Sequence, residues 1–312
     1  MHSGKALEVD YSFKRYLRAK VSVDDWAMNQ RVWDQMAGLL PTQASHRPLR
    51  VLEIGCGIGT MVERMVRKGL FTHVEYTGID LLPENIAYAA QQLIEWSILA
   101  GFRLVEVSGG AFLLEDGYRE LSVRFIEADL HTFLDCHEGS GDWDLLVAHA
   151  FLDLISLPTT LERILGTLRR GGVFYFTLNF DGMTILEPPV DLDLDEQIER
   201  LYHQTMDRRV IEGESSGDSQ TGRRLFGLLR QAGATILAAG ASDWIVFPRE
   251  DGYPGDESYF LHFIIHTIQA ALQKEGSLDE RRLLEWARLR HAQVERSELV
   301  YIAHQMDFVG TV

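Results

Sequence analysis

One stretch constrains this chain more than any other: Arg50-Val51-Leu52-Glu53-Ile54-Gly55-Cys56-Gly57-Ile58-Gly59-Thr60-Met61. An apolar strand, Val51 to Ile54, runs into three glycines on alternate positions, and Val62, Met65 and Val66 continue with helical spacing. Glycine serves where a turn needs dihedrals that other residues avoid, or where a ligand must approach the backbone closely. The stretch therefore reads as a strand–turn–helix corner of the nucleotide-binding kind. Its spacing is G-x-G-x-G, which differs from the G-x-G-x-x-G dinucleotide fingerprint, and no Gly-Lys-Ser/Thr follows, which excludes a P-loop. Glu53 stands two residues before the first glycine. An acid there repels a pyrophosphate and suits a cationic ligand group.

A second strand ends in an acid, Val74-Glu75-Tyr76-Thr77-Gly78-Ile79-Asp80, which places Asp80 to accept both ribose hydroxyls of an adenosine. A third ends in Glu127-Ala128-Asp129-Leu130, where a side-chain oxygen can take the adenine amine. In Glu53/Gly55/Gly57, Asp80 and Asp129-Leu130, ordered at strand ends, the chain resembles the class I S-adenosylmethionine (SAM)-dependent methyltransferases. The resemblance covers roughly residues 45–180 by motif. It implies SAM as cofactor and S-adenosylhomocysteine as product, with contacts from Glu53, Gly55, Cys56, Gly57, Asp80, Leu81, Asp129, Leu130, His149 and Ala150.

Composition narrows the partners. The net charge of −16 argues against nucleic acid. Two cysteines, Cys56 and Cys136, point to a reduced compartment with neither a disulfide framework nor a zinc site. The apolar run Phe260 to Leu272 is broken by His262, His266 and Gln269, so no membrane span is expected. The expectation is a cytoplasmic protein with a small-molecule acceptor, no membrane partner and no resident metal; its oligomeric state is left open.

Taken in order, residues 1–44 form an N-terminal helical cap, with a capping box at Ser22 to Asp25 and a helix end at Pro41. Trp26, Trp33, Ala37 and Leu40 fall near one face of it. Residues 42–49 link it to the core, 45–180. Within the core a helix opens at Pro83, and residues 102–121 read as an inserted hairpin. Asp142 to Ala150 leads into and forms a strand buried on both faces, Leu161 to Leu168 a helix closed by Arg169 to Gly172, and Val173 to Leu178 the fifth strand. Residues 181–221 interrupt the alternation with a loop at Gly182, Pro188 and Pro189, a helix over Asp193 to Arg209, and a polar segment; this is a lid insertion. Residues 222–312 resume the core with added helices and end in a strand at Leu299 to Ala303. The alternation predicts an α/β, Rossmann-like, doubly wound sheet. The resemblance supplies seven strands, mostly parallel, with an antiparallel C-terminal strand.

Methyl transfer from a sulfonium is an in-line displacement, so positioning supplies much of the catalysis and a base matters chiefly for hydroxyl or protonated amine acceptors. His149 and Asp153 are the candidate bases. His149 could equally pack on the cofactor, Asp153 could cap a helix, and Asp129 could cap the stretch after it. Tyr16, Lys20, Asn29, Asn179 and Phe180 are candidate contacts to the acceptor or the methionine carboxylate. The acids from Glu187 to Glu199 fit a solvated helix start, Arg223 and Arg224 a surface, and His262/His266 a helix face without an H-E-x-x-H pattern. No Asn/Asp-Pro-Pro-aromatic follows the fourth strand, where Ala148-His149-Ala150-Phe151 stands instead, and no Pro-Cys nucleophile occurs. The leading expectation is methyl transfer to O, N or C of a small molecule. The alternatives are a non-catalytic SAM-binding regulator and a nicotinamide-dependent oxidoreductase, against which the glycine spacing and Glu53 count.

Overall fold

The structure, a computed structural model, describes residues 11–41, 47–107, 109–137, 139–211 and 214–312. Part of the expected linker, residues 42–46, lies outside the described residues, as do residues 1–10 of the expected cap. The elements in order are α1 (Phe13–Ala27), α2 (Gln30–Leu39), β1 (Leu49–Ile54), α3 (Thr60–Arg67), β2 (His73–Asp80), α4 (Pro83–Leu99), β3 (Arg103–Val107), β4 (Ala111–Glu115), β5 (Glu120–Glu127), α5 (Leu130–His137) and β6 (Trp143–His149). A 3₁₀ turn (Leu152–Leu154) precedes α6 (Leu157–Leu165), β7 (Leu168–Glu187), α7 (Leu192–Asp207), β8 (Val210–Ile211), β9 (Glu214–Ser215), α8 (Thr221–Gln231), β10 (Thr235–Ala241), β11 (Trp244–Val246), α9 (Glu257–Glu275), α10 (Glu280–Glu295) and β12 (Val300–Thr311).

The main sheet has ten strands in the order β10-β12-β7-β6-β1-β2-β5-β4-β3, with β11 added on β12. Its inner seven strands run from β5 to β10 and are parallel except β12, which lies antiparallel between β7 and β10. Three strands exceed the expected seven. The β3–β4 hairpin extends the sheet beyond β5, and β11 pairs Trp244 to Val246 with Ala303 to Tyr301. Strand alternation splits the core in two. Val51, Val147 and Tyr175 face α2, α3 and α4, while Leu52, Leu146 and Phe174 face α5, α6 and α8.

Several boundaries differ from the sequence expectation, each for a physical reason. The Ser22–Asp25 capping box does not start a helix. Ser12 caps α1 by accepting from Arg15 N, Ser22 sits mid-helix and donates to Glu257, and Asn29 caps α2 by accepting from Val32 N at 3.1 Å. Trp33 is buried, but Trp26 is 75% exposed. Helix α6 begins four residues earlier than expected, where Pro158 suits its first turn, and Arg169 to Gly172 belong to β7.

The largest departure is the length of β7 and β12. The expected loop at Gly182 is a bend inside a 20-residue strand, which takes left-handed φ at Leu178, Gly182 and Met183. Beyond that bend, Thr184 to Glu187 pair with Ala303 to Val300. The pair runs past the carboxyl rim of the sheet and carries a second core with α1, α7, α9 and α10, built on Phe260, Ile264, Trp286 and Tyr301. His304, Gln305 and Asp307 look in sequence like a strand end. They remain in β12 because Gln305 and Asp307 are buried and Asp307 accepts from Asn29 N and Leu178 N, each at 2.8 Å.

A Cβ on Gly310 of β12 would overlap Thr235 O and lie 2.5 Å from the Phe174 ring. Gly310→Ala should destabilise the chain by about 1–3 kcal/mol in denaturant unfolding. Gly38→Ala, in an exposed turn of α2 with open space around it, should stabilise it by about 0.5–1 kcal/mol.

Candidate active site

The glycine turn lies at the carboxyl end of β1. Gly55, Gly57 and Gly59 have φ of 66°, 53° and 74°, the left-handed region that glycine enters without strain. Cys56 N donates to Ile79 O at 2.9 Å, and Gly57 N donates to Asp80 Oδ2 at 2.9 Å, so β2 holds the turn at two points. Asp80 Oδ1 accepts from Leu82 N at 2.9 Å and Asn85 Nδ2 at 3.0 Å. A carboxylate oxygen can accept two bonds, so Oδ2 retains capacity for a ligand hydroxyl. Leu81 stands exposed at the lip. The turn is roofed: a Cβ on Gly55 would overlap the Phe151 ring, and one on Gly57 would lie 3.7 Å from Leu17 of α1.

Glu53 is buried beneath the turn, and the Tyr76 hydroxyl donates to it. Burial pushes its carboxyl up to about 8, against the opposing pull of the Tyr76 bond and Arg64. It is thus largely protonated at neutral pH, and a cation beside it would ionise it. Burial likewise pushes the Cys56 thiol up.

Asp129 is exposed and caps α5, accepting from Thr132 N at 2.9 Å and Thr132 Oγ1 at 3.2 Å. The Thr132 backbone bond holds its carboxyl below the ordinary range. Leu130 begins α5 and is buried. The capping alternative for Asp129 is thus present in the structure.

His149 closes β6 in a buried network that spans the fold. Its Nε2 lies 3.1 Å from Asp24 Oδ2 and its Nδ1 2.7 Å from Thr177 Oγ1. Burial lowers its pKa to about 4, against Asp24, so the ring is neutral. Burial opposes charge on Asp24, but Lys20, His149 and Arg64 together overcome it and hold that carboxylate well below the ordinary range. An ionised carboxylate only accepts, so His149 donates from Nε2 and Thr177 donates to Nδ1. Asp24 also accepts from Trp244 Nε1 at 3.0 Å and pairs with Lys20 Nζ at 3.2 Å. Arg64 reaches in from α3, its Nε on Asp25 and its Nη2 4.0 Å from Asp24. With both ring nitrogens engaged, His149 has no free lone pair for an acceptor.

Asp153 lies in the 3₁₀ turn after Ala150, whose φ of 50° swings the chain off β6. Its Oδ1 is buried and makes no hydrogen bond among the described residues, and burial raises its pKa. Tyr16 and Lys20 lie on the inner face of α1 near it. Asn29 is spent elsewhere, capping α2 and donating to Ala241 O at 2.9 Å. Asn179 and Phe180 are inside β7 rather than at its end. Asn179 donates to Met306 O at 2.8 Å, and Phe180 packs edge-on to His203. Asp24, Arg64, Thr177 and Trp244 gave no motif, because they come from four elements far apart in the chain. The only local trace is the Lys20/Asp24 pair at helical i,i+4 spacing.

The fold and this rim define a class of protein: a nucleotide-cofactor enzyme of the doubly wound α/β type. A family model described as a methyltransferase domain matches residues 27–239, and the chain belongs to that family, the class I SAM-dependent methyltransferases. A malonyl-(acyl-carrier protein) O-methyltransferase from Bacillus cytotoxicus is 38% identical over 84 residues, which is 25% of this chain and 28% of that protein. Among solved structures, one that concerns conversion of a disulfide bond into a thioacetal group during echinomycin biosynthesis is similar at 14% identity and a TM-score of 0.45, covering 96% of this chain and 91% of that one. Mycolic acid cyclopropane synthase CmaA1 complexed with SAH is similar at 13% identity and a TM-score of 0.42, covering 88% and 82%. No helix among the described residues is long and apolar enough to cross a membrane.

Two titrations follow from these shifts. His149 binds its proton less readily folded (about 4) than at its ordinary 6.5, so its share of stability is full above pH 6.5 and lost as pH falls through 4. Glu53 works the other way: its share is present below 4.5 and lost as pH rises through about 8. Glu53→Gln should therefore gain stability relative to the wild type as pH rises from 5 to 8 in denaturant unfolding. Asp24→Asn strands buried Lys20 and should lose about 3 kcal/mol or more. Histidine NMR should show His149 neutral and protonated on Nε2 down to about pH 4.

Proposed function

We propose that this chain transfers a methyl group to O, N or C of a small-molecule acceptor by in-line displacement, with the cofactor across the glycine turn and the acceptor over the ends of β6 and β7. The observation that carries the cofactor reading is the convergence at one rim of a left-handed glycine turn, Asp80 bonded to Gly57 N, and buried Glu53. These residues fit SAM. Asp80 has spare acceptor capacity for ribose hydroxyls, Glu53 can ionise against an ammonium, and the glycines bring backbone within reach. Leu81, Leu130 and the backbone of Cys56, His149 and Ala150 complete the proposed contacts, and Asp129 supplies the adenine contact from the oxygen that does not cap α5.

SAM supplies an electrophilic methyl on a sulfonium. The chain's task is to align the acceptor, exclude water and take one proton. Held by Glu53, the glycine turn and Asp80, the sulfonium would supply its methyl to an acceptor lone pair and would keep the C–S electron pair on sulfur. The proton of an O–H or N–H acceptor goes to Asp153 Oδ1. That oxygen is buried and without a partner among the described residues, and burial raises its pKa above the ordinary carboxylate range, which makes it a stronger base than a solvated aspartate. His149 is a positioning residue in this reading, since Asp24 and Thr177 occupy its nitrogens. Lys20 and Tyr16 face the acceptor, while Asn29, Asn179 and Phe180 support the walls. The net charge of −16 supports a small molecule over nucleic acid.

Calorimetric titration with SAM should show tight binding in the wild type that is lost in Asp80→Ala. Binding at pH 7 should release close to one proton through Glu53, seen as a dependence on buffer ionisation enthalpy that disappears in Glu53→Gln. Asp153→Asn should keep SAM affinity and lose about 10²- to 10⁴-fold in kcat with an O–H or N–H acceptor. Failure of the folded wild type to bind SAM would refute the proposal.

A further inference from the structure

Beside Asp153 the second core holds polar groups that the reaction above does not use. Phe260 is their common floor. Tyr16 stacks on it at 5.7 Å between ring centroids, and Tyr301 and Trp244 meet it edge-on at 5.9 Å and 5.3 Å. Lys20 Nζ lies 5.4 Å over the Trp244 ring. Tyr202 of α7 closes the group: it is electrostatically coupled to Tyr16, to Tyr301 and to Asp153. Ala150, just past the end of β6, and Leu178, where β7 first takes a left-handed φ, belong to the same cluster, so this neighbourhood sits at the carboxyl end of β6.

The hydroxyls of Tyr16, Tyr202 and Tyr301 make no hydrogen bond among the described residues, and Tyr301 is only 4% exposed. Burial pushes Tyr202 up to about 12 and the other two well above 10, so all three remain neutral donors. Tyr16 and Tyr202 each interact electrostatically with Asp153, whose buried Oδ1 has no partner among the described residues, and Tyr301 interacts with Tyr202 beside them.

Resting on the methyltransferase reading, we infer that the acceptor is bifunctional: a protic O–H or N–H faces Asp153, and a carboxylate is held by the phenols of Tyr16, Tyr202 and Tyr301 with Lys20 nearby. The donor set selects the anion. Three phenols can each donate to one oxyanion, whereas a purely cationic or apolar acceptor leaves them unmatched. Two cations serve this neighbourhood: Lys20, which is paired with Asp24 at 3.2 Å, and Arg209, whose charge acts on both Asp153 and Tyr202.

The test is calorimetry on the protein loaded with S-adenosylhomocysteine. The probes are aromatic and aliphatic hydroxy acids and amino acids, each beside its methyl ester and its decarboxylated amine or alcohol. Free acids should bind at least about tenfold more tightly than their neutral partners, the worth of hydrogen bonds to a charged group. Tyr301→Phe and Tyr202→Phe should shrink that preference while S-adenosylhomocysteine affinity, which reports a folded site, stays unchanged. Equal binding of acids and esters, an unchanged preference in both variants, or no free acid bound by the loaded protein overturns the inference and leaves the cofactor reading intact. If the folded protein binds no S-adenosylhomocysteine, the underlying reading fails and the inference with it.

Discussion

The structure depends on one buried carboxylate. Asp24 takes hydrogen bonds from His149 and Trp244, pairs with Lys20, and has Arg64 at 4.0 Å, drawing groups from α1, α3, β6 and β11 to one point. A charge so deeply placed survives only because its partners outweigh the loss of water, and removing any of them leaves the others uncompensated. Through this hub α1 is fastened to the sheet. A second seam fixes its outer side: Tyr16 stacks on Phe263 at 4.2 Å, Arg15 on Tyr259 at 3.9 Å, and Tyr11 on His266 at 4.0 Å, all on α9. The helix that roofs the glycine turn through Leu17 and faces Asp153 through Tyr16 and Lys20 is thus fixed from both sides.

The second determinant is the long β7–β12 pair. By running past the rim it gives α7, α9 and α10 a surface on which to build a separate core, directly over the ends of β6 and β7. Its bends are stabilised rather than left strained. Leu178 takes a left-handed φ and its N–H is captured by Asp307, which also holds Asn29 between α1 and α2. On the far side, Asp195 of α7 accepts from Arg290 at 2.6 Å and Trp286 at 2.7 Å of α10. The helical layer is therefore tied to the sheet and to itself by buried polar bonds, which impose geometry where apolar packing alone would permit sliding.

Environment, more than residue type, separates the roles of the polar groups at the rim. His149 would be the default base near neutral pH, but its neighbours use both nitrogens and burial makes it neutral. Asp153 would ordinarily be a weak base, yet its buried oxygen has no partner among the described residues and burial raises its pKa. Glu53 is protonated by the same desolvation, and a cationic ligand binding beside it would drive it to ionise, releasing the proton to solvent. Three acid–base groups thus diverge through their surroundings alone.

What the sequence by itself determined is local. Three alternate glycines after an apolar strand, acids at successive strand ends and the strand–helix alternation are short-range patterns, and each reports the backbone it will adopt. They sufficed for the sheet, its doubly wound order and the gathering of Glu53, Asp80 and the glycine turn at one rim. What only the tertiary structure decided is everything that depends on distant residues meeting. Asn29 reads as a candidate contact and is a cap; Asn179 reads as a loop start and lies inside a strand; His149 reads as a base and is held by Asp24, 125 positions away. Tyr202 and Tyr301 carry no signature, and Asp24 only its i,i+4 spacing from Lys20. Their meaning arises from desolvation and pairing, and neither exists until α1, α7 and β12 close over the same rim.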